Sequence, residues 1–231
     1  MTAYSNMRVE LISSTPDPER VVALAARLCY SPLQGEELKD ELTPERREKL
    51  IDKIIKTGHH SVLEHVSFSF LIEGVSRVST HQLVRHRIGC SYSQKSQRYV
   101  REREPEFVVP PAFQDKPEEK EQFIKACQES FDKYCELVEA GIHQEMARYL
   151  LPQAIESSLM VTMNARALYH FFQLRCCTRA QEEIRVLAWK MLKQVKKEAP
   201  LLFSLAGPSC ESGPCPEGDK SCGRSKRRET N

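Results

Sequence analysis

The stretch HVSFSFLIEGVSRVSTHQLVRHR, residues 65–87, changes its period part-way along, and that change decides the fold class. Val66, Phe68, Phe70 and Ile72 recur at every second position, which gives a strand one apolar face. From Val75 onward the alternation stops, and Arg77, His81 and Arg85 fall four residues apart, as they would on one face of a helix. Toward the N-terminus, MRVELIS (7–13) alternates Val9 and Leu11 with polar neighbours and predicts another strand. Asp17-Pro18 leads into a helix over ERVVALAARLCY, and Thr43-Pro44 opens an amphipathic helix that Gly58 stops. Toward the C-terminus, Phe123, Ile124, Cys127, Phe131, Tyr134, Cys135 and Val138 fit one face of a helix over 116–140. Pro152 breaks the chain, SSLMVTMN (157–164) reads as a strand, and helices follow over ARALYHFFQLR (165–175) and about 180–197. The sum is an α+β fold, a helix-rich single domain with a central, mainly antiparallel sheet over residues 1–207. After Pro208 the composition turns to Gly, Pro, Ser, Cys and charge, which predicts a poorly ordered tail over 208–231.

With 34 Lys+Arg against 32 Asp+Glu in 231 residues, the formal net charge is +2. That balance argues against a protein that coats long polyanions. No apolar run approaches the roughly 20 residues that cross a bilayer, and the N-terminus lacks the charged-then-apolar order of a signal peptide. A cytoplasmic location with no membrane partner is the expectation. Accordingly the nine cysteines read as reduced thiols.

The local charge distribution is less even than the total. Between Val75 and Arg101 stand Arg77, Arg85, Arg87, Lys95, Arg98 and Arg101, with no acid among them. Like charges at helical spacing repel unless an anion or acids from other elements meet them. Arginine's planar fork suits phosphate and carboxylate, and Ser91, Ser93, Gln94, Ser96 and Gln97 add neutral donors and acceptors. Two readings follow: a bound phosphate ligand, or pairing with acids elsewhere in the fold. A nucleotide- or RNA-binding module built on 75–101 is the alternative from outside the enzymes. The histidines His59, His60 and His65 match neither H-E-x-x-H nor a zinc-finger spacing, so no metal is expected. Cys210, Cys215 and Cys222 are too few for a structural zinc site by themselves.

Several blocks in order are more specific. Gly58-His59-His60-Ser61-Val62-Leu63-Glu64-His65, Arg85-His86-Arg87, Ser91 through Tyr99, Asn164-Ala165-Arg166-Ala167-Leu168 and Leu174-Arg175 together resemble the flavin-dependent thymidylate synthases. The resemblance spans about residues 7–205. In one respect the chain departs from the family: eight residues, Ile88 to Lys95, separate Arg-His-Arg from the motif serine Ser96, where the family usually has one fewer. The additional residue falls around Gly89-Cys90, where glycine would serve a bulge or tight turn. Lys95 also stands where an apolar residue is common.

The resemblance implies an FAD-dependent methyltransferase that converts dUMP to dTMP. It takes the carbon from methylenetetrahydrofolate and the hydride from FAD that NADPH has reduced, with no enzyme cysteine attacking the base. It further implies a homotetramer with active sites shared between subunits, and no nucleic-acid partner. Carried over by position, His59, Ser61, Glu64, Arg85, His86, Arg87, Gln94, Asn164, Arg166 and His170 would contact the cofactor, His59 near flavin and folate. Gln82, Arg85, Gln94, Ser96, Gln97, Arg98, Arg148 and Arg175 would hold dUMP, and Arg175 would be the catalytic group. Arg166 and His170 share a helical face, whereas Arg175, nine positions beyond Arg166, points to nearly the opposite side at about 100° per residue.

Overall fold

The structure, a computed structural model, describes residues 4–224. It is about half helical, with a four-stranded antiparallel sheet. Strands β1 (Arg8–Ser14), β2 (Ser67–Ser76), β3 (Cys90–Gln94) and β4 (Glu156–Asn164) lie in the order β1-β2-β4-β3. The helices are α1 (Pro18–Leu28), α2 (Gly35–Asp40), α3 (Pro44–Thr57), α4 (Arg77–Leu83), α5 (Pro117–Glu139), α6 (Gln144–Ala147), α7 (Ala165–Arg175) and α8 (Glu182–Glu198). A 3₁₀ turn, His60–His65, precedes β2. Two compact units partition the chain, and each strand gives residues to both. The first takes in Leu71–Arg85 and Tyr92–Val161 with the chain's start up to Val9; the second takes in Glu10–Phe70, His86–Ser91 and everything from Thr162 onward.

Strand β2 keeps the period read from the sequence: Phe68, Phe70 and Ile72 are fully buried between half-exposed neighbours. In the second unit Phe68 meets Phe203 edge-on at 5.3 Å between ring centroids, and Phe203 stacks on Tyr169 at 5.7 Å. Tyr169 then donates its hydroxyl to Leu202 O at 2.5 Å, so the largest polar side chain of that core is satisfied. Helix ends follow the expected chemistry. Thr43 accepts from Arg46 N, Pro44 opens α3, and Gly58 closes it in the left-handed region at φ 76°. In the first unit α5 buries Cys127, Phe131 and Tyr134, and the Tyr134 hydroxyl accepts the Glu102 N–H at 3.2 Å. The outer part of the predicted face is wetter, with Ile124 exposed.

Two elements differ from the sequence reading. Helix α4 ends at Leu83, so Arg85 does not extend the face of Arg77 and His81. The chain turns there because His86 is buried against Phe171, and that packing outweighs helix continuation. Strand β3 was hidden in a polar stretch, since an edge strand needs backbone partners more than an apolar face. From Pro208 to Arg224 the chain carries 3₁₀ turns at Ser209–Glu211 and Gly218–Lys220. Ion pairs Arg179–Glu217 and Arg224–Glu211, each at 2.8 Å, tie those turns down, and Arg224 lies 5.2 Å over the Trp189 ring. The basic run Lys226-Arg227-Arg228 lies outside the described residues.

Candidate active site

The first unit holds most of the positions expected on dUMP. Gln97 is only 9% exposed and, with Arg77 and Arg148, lines an open polar pocket of about 340 Å³ bordered by Pro152 and Gln153. Arg77 leads α4 and Arg148 follows α6. Arg148 donates Nε–H to the Glu145 carbonyl at 3.2 Å, and its terminal nitrogens have no hydrogen-bond partner among the described residues. Burial pushes the Arg77 guanidinium below its ordinary value, and the nearby Arg148 charge pushes it the same way, against a smaller opposing pull from Glu102. Neither arginine has an ion pair among the described residues. Two cations facing one polar cavity with no carboxylate bonded to either is an arrangement that an anion completes. Arg77 was absent from the sequence-derived set. Its only signal was membership of the acid-free segment.

Other expected positions in this unit already have protein partners. Gln94 donates Nε2–H to Thr80 Oγ1 at 3.1 Å and to Ser157 Oγ at 3.0 Å. Ser96 Oγ accepts from Arg98 N at 3.3 Å, and Arg98 Nε pairs with Glu145 at 2.8 Å beside the Tyr99 ring. Lys95 meets the buried Glu102 carboxylate at 2.6 Å, which explains a lysine at a position where an apolar residue would pack. Gln82 is half-buried and Arg85 exposed.

The second unit carries the positions expected on the cofactor other than Arg85 and Gln94, together with Arg175. Asn164 caps α7, with Oδ1 accepting from Ala167 N at 2.8 Å, so its amide NH₂ remains available as a donor. The Asn164 N–H donates to Gly89 O at 2.9 Å. Gly89 sits at φ 68°, and a Cβ there would lie 2.5 Å from Asn164 Nδ2. A side chain at Gly89 would thus meet both backbone strain and a collision with the Asn164 amide. Arg166 forms a short ion pair with Glu64. His59, Ser61, Arg87 and His170 are exposed. His60, outside the expected set, stacks on Tyr169 at 5.7 Å, and burial lowers its basicity.

Arg175 is the last residue of α7 and is half-buried. Its Nε donates to His86 Nε2 at 3.1 Å. His86 is 8% exposed and packs edge-on to Phe171 (5.0 Å) and His170 (5.8 Å). Burial first, then the Arg175 charge and His170, lower its pKa from 6.5 to about 4. Arg175 also borders a cavity of about 250 Å³ whose wall includes Cys176, Cys177, Cys210, Cys215 and Cys222. Burial pushes the Cys176 thiol up to about 12. Among the described residues no three His, Cys, Asp or Glu side chains are grouped to hold a metal ion, and no helix is long and apolar enough to cross a membrane.

A family model described as thymidylate synthase complementing protein matches residues 10–201. The flavin-dependent thymidylate synthase of Geobacter sulfurreducens is 52% identical over 94% of both chains. The chain belongs to the flavin-dependent thymidylate synthase family. The enzyme of that name from Clostridium tetani is 47% identical, again over 94% of each chain. Among solved structures, a UMP/dUMP methylase from Streptomyces cacaoi bound with 5-Br dUMP superposes with a TM-score of 0.77 at 29% identity, over 90% of this chain and 98% of that one.

Proposed function

We propose that this chain methylates dUMP to dTMP, with methylenetetrahydrofolate as carbon donor and NADPH as reductant. The observation that carries the proposal is the Arg77–Arg148–Gln97 cavity of the first unit. It offers two unpaired guanidinium groups and a buried amide, which suits a doubly charged phosphate and a polar edge. The thymidylate synthase activity for which the relatives are named, and the 5-Br dUMP held by the Streptomyces methylase, support the same substrate. On this reading Arg77 joins Arg148, Arg98, Arg85, Ser96 and Gln97 in holding the nucleotide. Gln82 and Gln94 serve its base side.

The second unit fits FAD in its donor chemistry. Arg87, Arg166, His170, Ser61 and the free amide of Asn164 are donors that suit a pyrophosphate and ring edges, with Gly89 keeping the backbone clear beside Asn164. His86, Glu64 and His59 complete the set in this unit, while Arg85 and Gln94, also expected on the cofactor, belong to the first. When bound, FAD supplies the hydride chemistry. The protein's part is to bind, orient and polarise. Arg175, a half-buried guanidinium with no carboxylate bonded to it, would stabilise negative charge on the pyrimidine in a site of lowered dielectric. The raised Cys176 thiol stays protonated at neutral pH, which supports chemistry without a cysteine nucleophile. Assembly into a homotetramer with shared sites belongs to the same reading, with exposed Tyr99, Met146 and Tyr149 as candidate contact residues.

The test is to purify the protein, measure bound flavin by its absorption, and compare wild type with Arg175→Ala. The wild type carries about one FAD per chain and forms dTMP, while the variant keeps its flavin and loses turnover by roughly a hundredfold or more, as removal of a preorganised charge-stabilising group does. A colourless protein that takes up no FAD, or a variant with normal turnover, refutes the reading.

A further inference from the structure

We propose that His86 is a positioning residue for Arg175: its Nε2 accepts the Arg175 Nε–H and fixes the guanidinium so that both terminal nitrogens are left for the substrate. The inference deepens the reading above and rests on Arg175 acting on the pyrimidine. The two residues are 89 positions apart in the chain, yet their side chains meet at 3.1 Å. Arginine is a long, flexible side chain, and at the last position of α7 no following turn of helix confines it. Most half-buried arginines are held by carboxylates, which fix the geometry and also neutralise part of the charge. Here the acceptor is an imidazole. A neutral acceptor orients the guanidinium and leaves its full positive charge to act on the ligand.

The acceptor itself is held in place. His86 is buried, with its ring edge-on to Phe171 at 81° and to His170 at 63°. Acceptance at Nε2 from a group that is always a donor requires the proton of the neutral ring to sit on Nδ1. Among the charged or titratable groups that act on the ring are Arg175 and His170. Both disfavour a second proton, and burial acts the same way, so the ring stays an acceptor down to about pH 4. The family resemblance places His86 on the cofactor, a role that would not by itself need this tautomer or this contact.

The experiment uses the flavin-loaded enzyme with His86→Phe, which keeps a ring but no acceptor, and His86→Gln, whose amide oxygen can accept. With Arg175 misaligned, kcat per bound FAD falls by roughly ten- to a hundredfold in His86→Phe. The KM for dUMP changes far less, and His86→Gln recovers most of the loss. A pure cofactor-binding role predicts loss of FAD per chain with kcat per flavin unchanged, and that result overturns the proposal. A readout independent of turnover is the ¹⁵N spectrum of labelled histidine in the wild type, where His86 must show a protonated Nδ1 and a bare Nε2 at pH 7. A protonated Nε2 overturns the proposal even if the Phe variant does not fold. Failure of the two levels is separable. Normal turnover in Arg175→Ala removes the reading of the site, whereas an inactive Arg175→Ala beside a fully active His86→Phe removes only the role of His86.

Discussion

Lys95, Arg98 and Arg101 each meet a carboxylate, from Glu102, Glu145 and Glu139 respectively, whereas Arg77, from the same acid-free segment, faces Arg148 across a cavity with no carboxylate bonded to either. All of these residues lie in one unit of the fold. The contrast teaches that an acid-free run of sequence is not by itself an anion site. Long side chains find acids wherever the fold supplies them, and Glu102, Glu139 and Glu145 come from beyond the run. What marks Arg77 and Arg148 is the cost of their arrangement: two like charges near one another, one of them shifted by burial and repulsion. Proteins seldom keep such an arrangement without a ligand to relieve it.

The largest effect should come from the cavity. Arg77→Ala and Arg148→Ala should each weaken dUMP binding by roughly 10- to 100-fold, equal to about 1.5–3 kcal/mol for a charge-assisted hydrogen bond, with thermal stability unchanged or raised because a repulsion is removed. Calorimetric titration with dUMP measures this. Unaltered affinity in either variant would break the contrast, because that arginine would then be no more engaged with ligand than the paired ones.

Acid should expose a second kind of buried group from the same segment. Unfolded His86 takes its proton near 6.5, but in the fold it does so only near 4. Between those values the unfolded chain binds more protons, so stability is complete above pH 6.5 and declines as pH falls toward 4. The loss traceable to this residue is on the order of 2 kcal/mol. Urea unfolding of wild type and His86→Phe at pH 7 and pH 4.5 isolates it: the variant should show a shallower acid loss, and identical pH slopes would contradict the burial of a neutral ring. The smallest effect belongs to the paired half. Arg101→Ala removes a 3.5 Å surface pair with Glu139 and should cost less than about 1 kcal/mol, with dUMP affinity unchanged. A large loss of affinity there would extend the anion site along the segment.

How legible all this was from the sequence varied with the physics. The alternation of Phe68, Phe70 and Ile72 was readable because burial of one strand face imposes period two, and α3 and α7 were readable because Thr43, Gly58 and Asn164 satisfy helix ends locally. A glycine after Arg-His-Arg was readable as a turn, and Gly89 has the positive φ that such a turn needs. The end of α4 was not readable, since its stop depends on His86 finding Phe171 and His170. Neither was β3, whose polar residues gain their pairing from β4. Of the residues lining the proposed dUMP pocket, Arg148 and Gln97 were expected from the family pattern, while Arg77 was not.

By itself the sequence determined the α+β class, the helix caps, the placement of the basic segment and the family to which the chain belongs, because these depend on residue type at short spacing or on ordered motifs. Only the tertiary structure decided which cations stay unpaired, that His86 is a buried neutral acceptor, and that it holds Arg175. Those outcomes depend on desolvation and on distances between residues as far apart as 89 positions, and local sequence does not encode them.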